Sequence, residues 1–385
     1  MAKTLKLSFV FIVLAGLIVL LWGNFLPHTE DMTKMADYTT LVSESLVPVD
    51  PLSREALDCQ AFIHDHLTSP YGGIYTNYQS TAQTGDLSAG HEVLSESMGL
   101  LLEFARLTGD QKLFNDTTNY ILSHLMVDDI LLWRIVENSD PITDVSATID
   151  DLRIYQTLAL AKNQWPQNDA AAEIFDTLEN QLPSKGFQSG YLVNYYSSAN
   201  PTQEKIVEVA YINLAAIQTL AAAKPEVASA VTINQEILLG SFIGETLPLY
   251  HKSYDPFKKK YSDADGKINI LDSLMAMLNL AQAGIYSQQS VEWLEERTAS
   301  GTLYSYYDPQ TGAALDAQES SAAYGLAAQI GAALGNEFLT GNALSQLKKH
   351  QNSDPLSPLY GGFGYNNNAY SYDNLQALLG LVYNK

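Results

Sequence analysis

The sequence predicts an all-α protein, an (α/α)6 barrel (toroid) of about twelve helices with short β segments in its loops. Apolar residues recur at helical spacing in about twelve segments, and short punctuated loops separate these segments. Short connections make consecutive helices antiparallel neighbours, so six helical hairpins can close into a ring. The eighth segment, ILDSLMAMLNLAQAG, and the tenth, SSAAYGLAAQIGAALG, are apolar or small nearly all round. Helices packed on both sides have this composition, and the even-numbered helices are therefore predicted to form the inner ring.

Start and stop residues place the individual helices. Ser53 is a suitable N-cap for the first helix, Gly109 closes the second, and Pro225 stops the sixth. The predicted helices span about 53–67, 92–108, 110–125, 150–163, 169–182, 203–224, 234–249, 269–283, 288–297, 317–334, 340–351 and 372–383. Extended segments are predicted only in loops, near Trp133 and over 191–196 and 304–307.

The first 26 residues are predicted to be an N-terminal transmembrane helix. Lys3 and Lys6 precede an apolar run from Leu7 to Trp22 that can extend through Leu26. This run is about long enough to span a bilayer, and the basic flank would stay in the cytoplasm. A cleaved signal sequence, which would make the protein secreted, is the alternative. The predicted organisation is a membrane anchor or signal sequence over 1–26, an extracellular stalk over 27–50 and an extracellular barrel domain over 51–385.

The composition excludes several classes of ligand. Lys and Arg number 21 against 43 Asp and Glu, a net charge of -22, which argues against nucleic acid as a partner. With 23 Tyr and only 17% charged residues, the surface suits neutral polar ligands such as sugars. Cys59 is the only cysteine, so neither an intrachain disulfide nor a thiolate metal cluster can form. We predict no metal and no cofactor, and we expect a monomer.

Acidic residues recur at the starts of the even-numbered helices. Asp150 and Asp151 lie in the first turn of the fourth helix, where the helix dipole alone could explain them. The same placement recurs at the other even-numbered helices, at Glu96, Glu208, Asp272, Glu319 and Asp373. If these helices are parallel, the carboxylates converge on one face of the barrel. Glycan cleavage needs one acid to protonate the glycosidic oxygen and a second carboxylate to activate water, with aromatic faces stacking on the sugar rings.

Three segments resemble glycoside hydrolase family 8, whose members are inverting β-1,4-glycan hydrolases with an (α/α)6 barrel. The start of the second helix, SESMGLLL from Ser95, is similar to the family segment that carries the general acid. The segments LWR (132–134) and ATIDDL (147–152) are similar to the family's Trp-Arg and Ala-Thr-Asp-Ala-Asp-Leu segments. LDSL (271–274) resembles the helix start that bears the catalytic base. The chain departs from the family pattern at Leu100, Leu101, Ile149 and Met275.

The resemblance implies a role for each matching residue. Glu96 would be the general acid, with Glu92 as a competitor if the alignment slips, and Asp272 would be the base. Asp151 would hold the distorted sugar. The predicted substrate-binding residues are Trp133, Arg134, Asp150, Tyr211 and Tyr372.

The predicted function is that of an extracellular, endo-acting, inverting hydrolase of a β-1,4-linked polysaccharide, a secreted exopolysaccharide. The polysaccharide and, through the N-terminal helix, the membrane would be its partners. Two alternatives remain open on the sequence. One is a non-catalytic glycan-binding scaffold on the same barrel. The other is a polysaccharide lyase or a hydrolase of another α/α-toroid family.

Overall fold

The computed structural model describes residues 38–40, 46–81, 88–197 and 205–384. The membrane anchor predicted over 1–26 lies outside these residues. Within the described residues, no helix combines the length and the apolar character that crossing a bilayer requires.

The described part of the chain forms twelve α-helices. In chain order they are α1 Arg54–Phe62, α2 Ser95–Thr108, α3 Gln111–Tyr120, α4 Thr148–Ala161, α5 Asp169–Lys185, α6 Leu214–Ala223, α7 Ala228–Gly240, α8 Ile270–Gln282, α9 Gln288–Ser300, α10 Ser321–Ala333, α11 Glu337–His350 and α12 Ser371–Leu381. Two of them, α1 and α3, continue into single π-helical turns at Ile63–Leu67 and Ile121–Leu125.

Alternate helices close into an inner ring. Helix α2 packs on α4, α4 on α6, α6 on α8, α8 on α10, α10 on α12, and α12 returns to α2. The odd-numbered helices pack outside this ring. Helix α1 packs on α12, and each of the others packs on an inner helix that neighbours it in sequence. The contacts therefore confirm the predicted inner set of even-numbered helices.

Short strands lie in the loops between the helices. The strands are β1 Tyr38–Thr40, β2 Val93–Leu94, β3 Met126–Val127, β4 Ile130–Leu131, β5 Arg134–Ile135, β6 Val145–Ala147, β7 Phe187–Gln188, β8 Tyr191–Leu192, β9 Tyr195–Ser197, β10 Val207–Glu208, β11 Phe242–Gly244, β12 Leu247–Tyr250, β13 Ser253–Asp255, β14 Lys260–Ser262, β15 Ile268–Asn269, β16 Ile285–Ser287 and β17 Tyr306–Tyr307.

The pairing of these strands shows that the inner helices all begin at the same end of the barrel. Four antiparallel pairs, β2–β5, β6–β9, β10–β13 and β15–β17, join the segments that lead into α2, α4, α6, α8 and α10. A bridge between Asn77 and Tyr370 joins the segments ahead of α2 and α12. The Ser320 hydroxyl donates to Asp373 Oδ1 at 2.9 Å and links the starts of α10 and α12. We call this end of the barrel the acidic rim, because the first-turn carboxylates of the inner helices lie there.

The contact between α10 and α12 in the ring depends on small residues. Residues 321–332 of α10 are all buried. A Cβ atom added at Gly325 of α10 would lie 2.6 Å from the carbonyl carbon of Gln376 in α12. Because the obstruction is backbone, it cannot be relieved by a side-chain rotation.

Gly325→Ala should therefore lower the free energy of unfolding by about 3 kcal/mol, since α10 and α12 must separate. Thermal unfolding followed by circular dichroism measures the effect. Gly341 of α11 is the matched control, because a Cβ there meets nothing within 4 Å. Gly341→Ala should raise the melting temperature slightly, because Ala favours the helix over Gly by about 1 kcal/mol. Equal melting temperatures for the two variants would contradict this account of the packing.

The described residues of the predicted stalk belong to the barrel, so the stalk prediction is wrong for them. The Leu46 amide donates to the Ala332 carbonyl at 2.7 Å, and the Val49 amide donates to the Val382 carbonyl at 2.8 Å. These carbonyls lie at the C-terminal ends of α10 and α12, where a helix leaves its last carbonyls unpaired. Strand β1 pairs with β16, which follows α8. The described residues 38–40 and 46–49 thus lie at the end of the barrel opposite the acidic rim.

Two helices have bounds that differ from the prediction, α6 at its start and α7 at its end. Helix α6 starts at Leu214 rather than near 203, because the Asn213 side chain caps it by accepting from the Ala216 amide at 3.0 Å. The apolar β-branched residues ahead of it form β10 and a 3-10 turn at Val209–Tyr211. Helix α7 ends at Gly240, and the residues after it form the β11–β12 hairpin instead of continuing the helix.

Candidate active site

Acidic residues from the starts of four inner helices act on two tyrosines at the acidic rim, Tyr211 and Tyr372. Burial raises the pKa of the Tyr372 hydroxyl, and the charges of Glu96, Asp373 and Asp272 raise it further. Burial likewise raises the pKa of Tyr211, with contributions from Asp150, Glu208, Glu96 and Asp272. Because Glu96 and Asp272 both act on each of these tyrosines, the predicted acid and base lie near the same two hydroxyl groups.

Glu96 has the protonation behaviour of a general acid. It lies in the first turn of α2 and is partly exposed. Burial and the neighbouring Asp150 raise its pKa to about 7, against the opposing charge of Arg153. A carboxyl that keeps its proton close to neutral pH can deliver that proton to a leaving group.

Asp150 is the anion that acts on Glu96, and it is held in the wall of the barrel. It is buried, and its two oxygens accept from Arg153 Nη1 at 2.6 Å and from the Ser95 hydroxyl at 2.7 Å. Ser95 begins α2 and Arg153 lies in α4, so Asp150 joins these two helices next to the acid. The predicted contact between Asp150 and substrate does not fit this burial. Arg153 was not predicted, although its position three residues after Asp150 is the spacing of a helical ion pair.

Asp151 is fully buried, which corrects its predicted contact with a distorted sugar. Its oxygens accept from the Ser146 hydroxyl at 2.7 and 2.8 Å and from the Tyr196 hydroxyl at 2.6 Å. Burial raises its pKa to about 7, and these two hydroxyl groups oppose the rise. The side chain thus connects the start of α4 to β6 and β9, which carry Ser146 and Tyr196. Neighbouring residues at a helix start point in different directions, and here both acids of the Asp-Asp pair turn into the protein.

Asp272 lies in the first turn of α8 opposite a cation that the sequence analysis did not find. Its side chain is 31% exposed, and its Oδ2 lies 3.9 Å from Lys252 Nζ. The same Nζ lies 4.0 Å from Glu208 Oε2. Burial raises the pKa of Asp272, and Lys252 opposes that rise. Lys252 follows β12 in a loop, so no helical spacing connects it to Asp272 in the sequence.

Tyr372 and Met275 meet across the ring. The Tyr372 hydroxyl donates to Met275 Sδ at 3.2 Å, which joins α12 to α8 over the intervening α10. Met275 and Arg153 also line a cavity of about 580 Å³ that continues between the inner helices to Leu46 at the opposite end. Glu96 and Asp272 are not among its lining residues. The cavity therefore lies beneath the cleft rather than at the predicted chemistry.

Trp133 and Arg134 form one unit with Glu92 beside the start of α2. The Arg134 guanidinium lies 4.6 Å from the centre of the Trp133 ring and 3.5 Å from Glu92 Oε2. The Ser95 amide donates to the Trp133 carbonyl at 3.1 Å, which fixes this unit to α2. Glu92 is buried, and its Oε2 also accepts from the Ala89 amide at 3.0 Å. These contacts favour Glu96 over Glu92 as the acid of the cleft.

The remaining acids of the rim make structural contacts. Asp373 accepts from the Ser320 hydroxyl, and Glu319 accepts from the Tyr324 hydroxyl. Within the described residues, no group of three or more His, Cys, Asp or Glu side chains is placed to hold a metal ion.

The comparisons with known proteins agree with this fold. No protein-family model matches the chain. "Putative lipoprotein YdaJ" of Bacillus subtilis (strain 168) is 26% identical over 329 residues, which cover 83% of this chain and 84% of that protein. The structure of a novel alpha-amylase from Clostridium perfringens superposes with a TM-score of 0.79 at 29% identity, covering 86% of this chain and 97% of the other.

A family 8 enzyme shows the same architecture. Endoglucanase Cel10 from Klebsiella pneumoniae, a family 8 glycosyl hydrolase, superposes with a TM-score of 0.59 at 16% identity over 85% of this chain and 98% of its own. The chain has the fold of the family 8 glycoside hydrolases, which confirms at the level of the fold the resemblance found in the sequence.

Proposed function

We propose that the protein is a glycoside hydrolase that cleaves within a polysaccharide bound along the acidic rim. The observation that supports this proposal is that the carboxyl groups of Glu96 and Asp272 act on the same two hydroxyl groups, those of Tyr211 and Tyr372. The pKa of Glu96 is raised to about 7, so its carboxyl keeps a proton close to neutral pH. The Asp272 carboxylate instead lies 3.9 Å from the ammonium group of Lys252. Two carboxyl groups in different environments are what acid and base catalysis at a glycosidic bond needs.

In the proposed mechanism, Glu96 protonates the glycosidic oxygen as the bond to the anomeric carbon breaks. Asp272 takes a proton from a water that attacks the opposite face of the sugar, so the configuration inverts. Inversion needs roughly 6.5–9.5 Å between the two carboxyl groups to leave room for this water. Trp133, Tyr211 and Tyr372 offer aromatic surfaces and hydroxyl groups to sugar rings, and Arg134 positions Trp133. Asp150 and Asp151 support the site from inside the wall.

The proposed substrate is a β-1,4-linked polysaccharide of the extracellular space. The matching segments around Glu96, Trp133 and Asp272 support this linkage, as does the fold shared with family 8 enzymes that cleave β-glucans and xylan. The apolar run that ends near Leu26 and the lipoprotein name of the Bacillus subtilis relative support a location at the outer face of the membrane.

An α-linked glucan is the second candidate substrate. The specific observation in its favour is the likeness to the Clostridium perfringens alpha-amylase, at a TM-score of 0.79 and 29% identity. The same acid and base could serve either linkage, because in both cases the water attacks the anomeric carbon from the side opposite the leaving group.

The test is the release of reducing ends from a panel of polymers: a β-1,4-glucan, a mixed β-1,3-1,4-glucan, a β-1,4-xylan and starch. Size-exclusion chromatography of the products distinguishes internal cleavage from release of end units, and NMR of the first-formed anomer reports inversion or retention. Activity on a β-glycan with inversion supports the proposal, and activity on starch alone supports the second candidate. Binding without cleavage would replace the proposal with a glycan-binding scaffold. Products with an unsaturated sugar end would indicate a lyase.

A further inference from the structure

Hydrogen bonds of its backbone amide and carbonyl fix the position of Lys252 at the edge of the cleft. It lies between β12 and β13, where its amide donates to Asp263 Oδ1 at 3.0 Å and its carbonyl accepts from the Val209 amide at 2.8 Å. The preceding residue, His251, donates its amide to the Ser241 carbonyl at 2.8 Å, and its ring Nδ1 lies 2.8 Å from Asp263 Oδ2. The origin of the Lys252 side chain is thus fixed relative to the segment that leads into α6.

The ammonium group of Lys252 stands between two carboxylates that come from different elements. Glu208 ends β10 ahead of α6, and Asp272 lies in the first turn of α8. Separations of 4.0 and 3.9 Å are longer than a direct hydrogen bond, so Lys252 acts on both groups through its charge. Holding one cation between two anions at the mouth of the cleft costs side-chain conformational entropy. An ordinary surface ion pair does little more than offset this cost, so the placement of Lys252 indicates a further role.

We propose that Lys252 is a positioning residue of the hydrolytic site, which keeps Asp272 ionised and correctly oriented to accept a proton from water. This inference rests on the proposed function and names a group that the sequence analysis did not connect with it. A general base works only in its deprotonated form. Burial acts against that form of Asp272, and the ammonium of Lys252 acts in its favour.

The two catalytic carboxyl groups would then differ because each has a different charged neighbour. Burial and the neighbouring Asp150 anion keep the proton on Glu96, against the opposing charge of Arg153. Lys252, a cation, keeps the proton off Asp272. Tyr211 and Tyr372 also face these carboxylates, but the pKa of each hydroxyl is raised, so both stay neutral at working pH. The separation of the two acid strengths therefore depends on Asp150 at one side of the cleft and on Lys252 at the other.

The experiment compares kcat/KM from about pH 4 to 8 for the wild type and for three variants on the glycan that the panel identifies. Lys252→Met removes the charge and keeps the length of the side chain, and Lys252→Arg keeps the charge. Lys258→Met is the matched control, because Lys258 pairs with Asp255 at 2.9 Å on the adjacent hairpin and is 77% exposed.

In Lys252→Met, the acid limb of the profile should move up by about one pH unit, because an ammonium within 4 to 6 Å lowers a carboxyl pKa by about that much. On the acid side, kcat/KM should then fall about tenfold. The alkaline limb should stay in place, since Glu96 sets it. The limbs of Lys252→Arg and Lys258→Met should coincide with those of the wild type.

An acid limb that does not move in Lys252→Met, or a loss of activity that is equal at every pH, would overturn this inference and leave the proposed function intact. If Lys252→Met does not fold by circular dichroism, Lys252→Gln serves as the second neutral variant under the same expectation. If the wild type cleaves no polymer of the panel, this result would contradict both the proposed function and this inference.

Discussion

Glu96→Gln should lower kcat on the polymeric substrate by about 10³-fold, equivalent to ~4 kcal/mol in the activation barrier. The amide keeps the shape of the carboxyl but has no proton to give to the glycosidic oxygen. The thermal stability should stay the same or rise slightly, because the acid beside the buried Asp150 is replaced by a neutral group. Initial rates of reducing-end release measure the loss, and circular dichroism measures the stability.

A substrate with an activated leaving group separates proton donation from other effects of this change. An aryl glycoside whose phenol leaves without protonation should be cleaved by Glu96→Gln with a loss of less than about tenfold. In the wild type, kcat/KM should fall as the pH rises above about 7, since the pKa of Glu96 lies there and the acid form is the active one. This alkaline limb should be absent from Glu96→Gln with the aryl glycoside.

Glu92→Gln is the matched comparison for this prediction. Glu92 lies four residues earlier and is bound to Arg134 and the Ala89 amide. Its substitution should lower the melting temperature, because a buried pair loses one partner, while the alkaline limb stays in place. A 10³-fold loss in Glu92→Gln with an active Glu96→Gln would move the general acid to Glu92.

Asp272→Asn should lower kcat by about 10³-fold as well, but on the polymer and on the aryl glycoside alike. The attacking water needs a base whatever the leaving group is, and an amide does not accept its proton. The two substitutions together therefore give a pattern that neither gives alone. Loss on the polymer only identifies the acid, and loss on both substrates identifies the base.

Asp373→Asn is the matched control for the base. Asp373 is the third residue of α12, as Asp272 is the third residue of α8, and burial raises the pKa of both. Asp373 differs in accepting from the Ser320 hydroxyl, which occupies it within the rim. Asp373→Asn should retain kcat within about tenfold. If Asp272→Asn is as active as this control, Glu208, which shares Lys252, becomes the next residue to test as the base.

Much of the barrel could be predicted because its determinants are local. Helical spacing, caps and breakers act within a few residues, and the helices that are buried on both sides have apolar or small residues nearly all round, as in α8 and α10. The errors arose where local signals were weak. Helix α6 depends on a cap by Asn213, and the segment around Leu46 is held by carbonyls of α10 that are distant in sequence.

The sequence by itself determined that carboxylates recur at the starts of alternate helices. It therefore also determined that they meet at one rim, because parallel inner helices begin at the same end of the barrel. It also singled out Glu96 and Asp272, which both act on the hydroxyl groups of Tyr211 and Tyr372. Only the tertiary structure decided which carboxylates stay accessible. Asp151 is adjacent to Asp150 in sequence, yet both are directed into the wall. The Tyr196 hydroxyl of β9 donates to Asp151, whereas Asp150 accepts from the Ser95 hydroxyl of α2 and from Arg153 of its own helix. The lysine beside Asp272 could not be found for the same physical reason, since charges act through space and Lys252 reaches the site from a loop with no fixed spacing to α8.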